Sequence, residues 1–491
     1  MAHLLNTPLE VLLQITSYLT TPDYGHLRRT CRQLEAALFG AFTKEFFSKR
    51  QFALMEFSIQ ALVDISKSRL APCLTHLIIH LEHPNALGPP GTKTYEQAVR
   101  DNLYQAEYIN HWEFITTGRD VEMLTDAIKH LPNLETIGMR DFNSRNRSRD
   151  DTAWNSYGCP TLARKTSYLL VLPNTSLHLF PSGRGPEYIS HVFLTILRAI
   201  GNTAVHGCGP TVTRIEVLLH NCRFLDTSFK IPDRFETGIS LALSKLKALL
   251  LDGLCEDRPF FFVNDVASGS KPIVGAGYFL SRFLEKASAL EHLRLNFQFY
   301  TQHPTERILL WLANARDPKD AQTSTIDSPT AANCVKASES LPAHFPPAPK
   351  FPNLRALDIG MATVTQAVLI ALYTNYKSTL RDIQLHKMTL ATPVNTKSNL
   401  WDRFCNKMRD VDLELTTFRL AYLRQTSNIR STRKGQVTFN DPRSKQTKIW
   451  RGTAFSQAIK DITGEMESHW DESENDESDE SMSDGEDSTD E

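Results

Sequence analysis

An apolar residue, a second three positions on and a third two beyond that form a spacing that recurs along most of the chain. It stands at Leu74/Leu77/Ile79, Leu134/Ile137/Met139, Val212/Ile215/Val217, Leu246/Leu249/Leu251, Leu290/Leu293/Leu295, Leu354/Leu357/Ile359, Leu380/Ile383/Leu385 and Met408/Val411/Leu413. The last two members of each triplet are alternate residues, which a strand places on one face. Segments of helical period precede the triplets, among them GRDVEMLTDAIKHLPNL, PEYISHVFLTILRAIG, GYFLSRFLEKASAL and TQAVLIALYTNYKSTL. The pattern predicts a unit of helix, short turn and strand. One such unit leaves most of its apolar surface bare, so units must stack, each covering the next.

The first residues follow a different rule. In TPLEVLLQITSYLTTPDYGHLRRTCRQL, Thr7 stands where an N-cap would, Pro8 suits the first turn, and Glu10 completes a capping-box spacing. Leu12, Ile15, Tyr18 and Leu19 then make an apolar stripe at helical period, and Thr20-Thr21-Pro22-Asp23 stops that helix and caps another running through Leu27 towards Cys31, Leu34 and Leu38. Two or three helices this short cannot bury their own apolar face. Beyond them, residues 50–55 read as extended and SIQALVDISKSR as helical.

The triplets lie 60, 78, 34, 44, 64, 26 and 28 residues apart. The last two intervals sit in or near the roughly 20–29 residues of leucine-rich repeats, and the earlier ones require insertions or unrecognised units. The asparagine usual later in that repeat is missing, which keeps open an ordinary α/β domain with leucine-rich parallel strands. The expected fold class is α/β: an N-terminal helical module (1–48), then an irregular leucine-rich-repeat-like α/β solenoid (49–423) with loops near 141–160 and 313–350. A basic, weakly structured segment (424–464) and a disordered acidic tail (465–491) follow.

The tail changes the charge picture. The net charge of −2 conceals 14 acidic and no Lys or Arg residues from Glu465 onward, so the 54 basic residues face 42 acidic ones over residues 1–464. Ser468, Ser473, Ser481, Ser483 and Ser488 each precede an acidic residue by three, the context an acidophilic kinase reads. No run of about eighteen apolar residues and no secretory start occur, so an intracellular location, cytoplasmic or nuclear, is expected. Eight cysteines without a CxxC pair read as reduced, mostly buried thiols.

Candidate chemistry is sparse. Phosphate-loop, dinucleotide-binding, HExxH and GxSxG patterns are all missing, and no nucleophile is paired with a base. His206-x-Cys208 and His220-x-Cys222 have zinc-compatible ligand types at a spacing no common site uses. HLEH (80–83) reads as a solvated strand rim. No enzyme activity, catalytic residue, cofactor, metal or membrane attachment is expected.

The opening stretch resembles an F-box. The family's usual Leu-Pro-x-Glu start and its later Leu, Ile, Tyr-Leu, Asp, Leu-Arg, Cys-Arg and Leu read here as Thr7-Pro8-Leu9-Glu10, Leu12, Ile15, Tyr18-Leu19, Asp23, Leu27-Arg28, Cys31-Arg32 and Leu34. Thr7 for the leading Leu is the clear departure. The remainder is similar in style to fungal F-box proteins with irregular leucine-rich arrays. The resemblance implies a substrate-receptor subunit of a cullin-RING, SCF-type ubiquitin ligase. A Skp-family adaptor, and through it a cullin, would bind at Pro8, Leu9, Leu12, Ile15, Leu19, Leu27, Cys31 and Leu34, and the solenoid would hold a protein target. The alternative is a nucleic-acid or chromatin scaffold, with residues 424–452 on phosphates and the acidic tail competing for them.

Overall fold

A computed structural model describes residues 4–85, 94–143, 149, 155–173, 185–256, 276–314, 346–394, 396–428, 432–441 and 444–471. The chain divides into two compact units, Met1–Phe299 with Cys334–Asn353 and Tyr300–Asn333 with Leu354–Glu491.

The first unit opens with α1 (Leu9–Ser17), α2 (Thr21–Arg29) and α3 (Arg32–Phe46). There follow β1 (Lys49–Ala53), α4 (Glu56–Ser66), β2 (His76–His80), α5 (Tyr95–Thr116), α6 (Arg119–Lys129), β3 (Thr136–Arg140), α7 (Cys159–Thr166) and α8 (Gly185–Val205). The unit continues through β4 (Arg214–Leu218), β5 (Phe224–Leu225), α9 (Asp233–Leu243), β6 (Ala248–Leu251), β7 (Leu254–Cys255), α10 (Tyr278–Glu285) and β8 (His292–Asn296). Strands β1, β2, β3, β4, β6 and β8 pair side by side in that order, all parallel. Chain order equals sheet order, as a stack of repeats requires.

The register turns the triplets into ladders. Leu77, Ile137, Ile215, Leu249 and Leu293 are successive partners, as are Ile79, Met139, Val217, Leu251 and Leu295, and none is more than 2% exposed. Full burial of each such side chain contributes roughly 1.5–3 kcal/mol, so the stack is held by its own repetition.

The second unit holds α11 (Gln302–Leu312), β9 (Ala356–Gly360), β10 (Thr363–Thr365), α12 (Gln366–Asn375), β11 (Asp382–His386), β12 (Thr389–Thr392), α13 (Leu400–Asp410) and β13 (Thr417–Ala421). Its last elements are β14 (Arg424–Asn428), β15 (Thr432–Phe439), β16 (Thr447–Arg451), α14 (Phe455–Gly464) and β17 (Met466–Trp470). Strands β9, β11 and β13 pair in parallel within this unit, with Leu357, Ile383 and Phe418 in one row. The array then closes on antiparallel β16, where Phe455 of α14 packs 5.2 Å from Phe418 and 5.4 Å from Trp450. A second sheet runs β10-β12-β14-β15-β17.

Four expectations need correction. The eighth triplet lies further along the chain: Met408 belongs to α13, Val411 caps it, and the triplet at the strand is Leu415/Phe418/Leu420, ahead of and along β13. Helix and strand approach share the three-residue step, so the pattern slipped by seven positions. The segment 424–464 is not weakly structured but supplies three strands and a helix, because Leu423, Gln425, Ser427, Val437 and Phe439 form a buried face between polar residues. The tail does not begin at 465: β17 pairs with β15, while residues 472–491 lie outside the described residues. Thr7 does not cap α1; Pro8 occupies that position, with no side-chain cap bond.

The loop near 141–160 returns to the sheet edge at both ends, Gln51 Nε2 donating to Asn143 Oδ1 at 2.7 Å and to Ser156 Oγ at 2.9 Å. Of 313–350, residues 315–345 lie outside the described residues. Two buried carboxylates hold backbone N–H groups of neighbouring segments. Asp141, 1% exposed, accepts from the backbone N–H of His220, Asn221 and Cys222 at 2.9, 2.6 and 2.7 Å, and Asp226 accepts from Phe279 and Leu280 at 3.2 and 3.0 Å. Each ties one turn to the next, satisfying donors that would otherwise be buried unpaired. The seven described cysteines are free thiols, but only Cys222, Cys255 and Cys405 are fully buried.

Candidate docking surfaces

The three N-terminal helices have a core of their own: Leu12, Tyr24, Leu34, Leu38 and Phe46, flanked by half-buried Leu13, Leu19, Leu27, Cys31, Phe42 and Phe47. The Arg28 guanidinium lies 3.4 Å over the Phe42 ring and pairs with Glu35 at 3.0 Å. Arg69, which follows α4, pairs with the same carboxylate and by that hydrogen bond holds Glu35 below the usual carboxylate range. The Thr20 side chain accepts from Asp23 N–H and caps α2 as expected.

The core leaves one side of α1 bare. Val11, Ile15 and Tyr18, at i, i+4 and i+7, are 44%, 38% and 81% exposed, and Leu4 and Leu9 stand open near the start of the helix. The eight residues expected on an adaptor divide accordingly. Pro8, Leu9 and Ile15 face solvent; Leu12 and Leu34 are interior; Leu19, Leu27 and Cys31 are half-buried against the core. Val11 and Tyr18 complete the outward ridge. Their signal was the second stripe through Ile15, legible as period but hidden because α1 is apolar on both sides.

Arg149, also unforeseen, reaches this module from 130 residues downstream. Its guanidinium donates to the carbonyls of Thr16 and Leu19, where α1 ends, pairs with Glu45 of α3 at 2.7 Å, and lies 4.8 Å over the Tyr24 ring. Last-turn carbonyls have no helical partner and attract cations.

The alternating positions of the first sheet form a second surface. One row of register partners reads Lys49, His76, Thr136, Arg214, Ala248 and His292. The next reads Gln51, Ile78, Gly138, Glu216, Leu250 and Arg294. Glu216 pairs with Arg214 at 2.7 Å, Arg140 at 3.5 Å and His76 at 3.6 Å. Burial first, then Lys49, pushes the His76 imidazole down to about 4, so it is neutral at physiological pH.

Other sequence candidates scatter. His206 Nδ1 bonds the Asn202 carbonyl at 2.6 Å, and His220 stacks on Phe142 at 3.9 Å. Among the described residues no three His, Cys, Asp or Glu side chains gather as metal ligands. His80, expected at a solvated rim, is 1% exposed and 3.2 Å from Glu82. In the basic stretch, Lys448 is engaged by Glu465 and by Asp441 at 3.5 Å. Ser468 sits, half-buried, within the edge strand β17 opposite Val437; the other four serines lie outside the described residues. No helix among the described residues is long and apolar enough to cross a membrane.

No curated protein sequence matches this one. A similar solved structure is the leucine-rich repeat-containing protein LegL7 from Legionella pneumophila, 11% identical over 84% of this chain and 98% of that one, with a TM-score of 0.24. The family model described as F-box-like matches residues 5–41, the stretch that forms α1, α2 and most of α3. The chain thus carries an F-box-like domain followed by an α/β repeat-like region built on a parallel sheet.

Proposed function

We propose that this chain is the target-binding subunit of an SCF-type ubiquitin ligase, docking a Skp-family adaptor, and through it a cullin, on α1 and a protein target on the repeat region. The observation that carries this reading is the bare Val11–Ile15–Tyr18 ridge on an F-box-like domain whose interior is already filled by Leu12, Tyr24, Leu34, Leu38 and Phe46. Apolar side chains left over after a core is complete mark a helix-in-groove interface. Pro8, three residues before Val11, belongs to the same face, while Leu9 is exposed at the helix start on another side; Leu12 and Leu34 act on the ridge only by holding the helices. The chain supplies no reacting group. Its contribution is proximity, keeping a target within reach of a conjugating enzyme carried by other subunits.

Co-purification with a recombinant Skp adaptor tests this. Ile15→Asp and Tyr18→Ala should abolish or sharply weaken the complex while leaving far-UV helicity intact, whereas Leu12→Ala should lose helicity first. Failure of the unmodified chain to bind any Skp adaptor would refute the reading.

A further inference from the structure

Helix α5 is an element the strand ladder does not need. Between β2 and β3 the stack requires one crossing helix, and α6 fills that place, packed on α4 and α8. The 22 residues of α5 come before it, and they help to stretch this interval to 60 residues where the last two take 26 and 28. One side of α5 is fully engaged. Tyr104, Phe114 and Ile115 are buried, the Tyr104 ring lies 5.0 Å from Tyr168, and Asp101 accepts from the Tyr168 hydroxyl at 2.6 Å. The Thr94 side chain accepts from Gln97 N–H at 3.3 Å and caps the first turn.

The opposite side is apolar as well. Tyr95, Val99, Leu103 and Ile109 are 85%, 41%, 49% and 61% exposed, and exposed Ala106 lies among them. At about 100° per residue these five side chains fall in one stripe roughly 120° wide, facing away from Tyr104 and Ile115. A helix anchored on a core by one face has no internal use for a second apolar face. Such a stripe marks a contact with another molecule.

We propose that α5 pairs with α5 of a second copy of this chain, antiparallel, across a two-fold axis at Leu103. The stripe is self-complementary in that register. Leu103 meets its counterpart, Val99 comes level with Ala106 and Tyr95 with Ile109 of the other copy, as an isologous interface requires. On one flank Arg100 comes level with Glu107 of the other copy, and the symmetry makes that pair twice. Arg100 lends one nitrogen to Ser167 Oγ at 2.8 Å, which leaves most of its fork for the carboxylate. A parallel arrangement would instead set Arg100 against Arg100 and Glu107 against Glu107, so the charges select the antiparallel one. At the exposures seen, the stripe offers roughly 400–500 Å² per copy, and the flanking Glu96, Arg100 and Glu107 bring it towards the roughly 800 Å² per partner of a stable complex. Four acidic residues against one basic on α5 repel an anionic membrane surface. Pairing through α5 goes beyond the target-binding reading and requires neither adaptor nor target.

The intact chain by itself tests this. Light scattering after size exclusion should give twice the 55.6 kDa chain mass at high concentration, falling towards one chain on dilution. Leu103→Asp should raise the dissociation constant about a hundredfold or more, because both copies carry the change at the axis, and should leave the melting temperature of the single chain unaltered. Arg100→Glu should weaken the dimer about tenfold, and adding Glu107→Arg should restore it, a rescue that a merely structural role would not show. Under mild oxidation Leu103→Cys should give a disulfide-linked dimer, since a residue on the two-fold meets itself; exposed Gln97→Cys, off the stripe, should give no more than the unmodified chain. Ile15→Asp should leave the dimer intact and Leu103→Asp should leave Skp binding intact, which separates failure here from failure of the adaptor reading. A single-chain mass at every concentration overturns the proposal, and a lowered melting temperature in Leu103→Asp would then assign the stripe to a segment of the same chain. A dimer indifferent to Leu103→Asp overturns it too, because the two-fold then lies elsewhere.

Discussion

Arg149→Met removes a guanidinium while keeping an aliphatic stem, and its effect can be worked from the contacts. Two bonds to the Thr16 and Leu19 carbonyls are charge-assisted, a class worth roughly 1.5–3 kcal/mol each. The partly desolvated stack on Tyr24 adds about 1–2 kcal/mol. The ion pair with Glu45, which is 37% exposed, adds under about 1 kcal/mol after screening. These terms overlap, and ordering the insertion that carries Arg149 opposes them, so a net loss of about 2–4 kcal/mol is expected. Because α1–α3 have a core separate from the strand ladders, the loss should appear as local opening of that module. Hydrogen exchange read by mass spectrometry should speed up at least about thirtyfold over residues 9–46, since 1.4 kcal/mol is tenfold, with residues 248–296 unchanged. Arg149→Lys should fall between, because an ammonium lacks the fork that reaches two carbonyls and Glu45 together. Unchanged exchange over residues 9–46 in Arg149→Met would refute the clamp.

Three further outcomes follow from the ladders and the buried groups. Leu249→Ala, at a fully buried central rung, should cost about 2–5 kcal/mol and lower the melting temperature, where the exposed Leu241→Ala should not. Asp141→Ala should strip exchange protection from the amides of 220–222, and Asp141→Asn, which keeps one acceptor oxygen, should retain part of it. Burial pushes the His111 imidazole down to about 3, so the unfolded chain binds a proton the folded one refuses. Stability therefore falls as pH drops from about 6.5 to about 3, and His111→Phe should move the acid-unfolding midpoint to lower pH.

Local chemistry settled much of this protein. Seven of the eight apolar triplets lie at strands, because a strand's two-residue period is dictated by the backbone and needs no partner to be read. The F-box-like motif is legible for the same reason: Pro8, Asp23 and the spaced leucines mark short helices within one continuous stretch. The eighth triplet and β14 to β17 escaped because a helix end imitates a strand approach, and because polar strands such as Thr432–Phe439 are stabilised by pairing, not by apolar runs. Only packing decided which stripe of α1 faces inward, since Leu12 and Ile15 are equally apolar and α3 covers one of them. Only stacking brought Lys49, Arg140 and Arg214 together on one face, and Arg149 onto Thr16, from places 74 to 165 residues apart. Period is a property of neighbouring residues, whereas juxtaposition is fixed by the register of strands whose separation in sequence varies with every insertion.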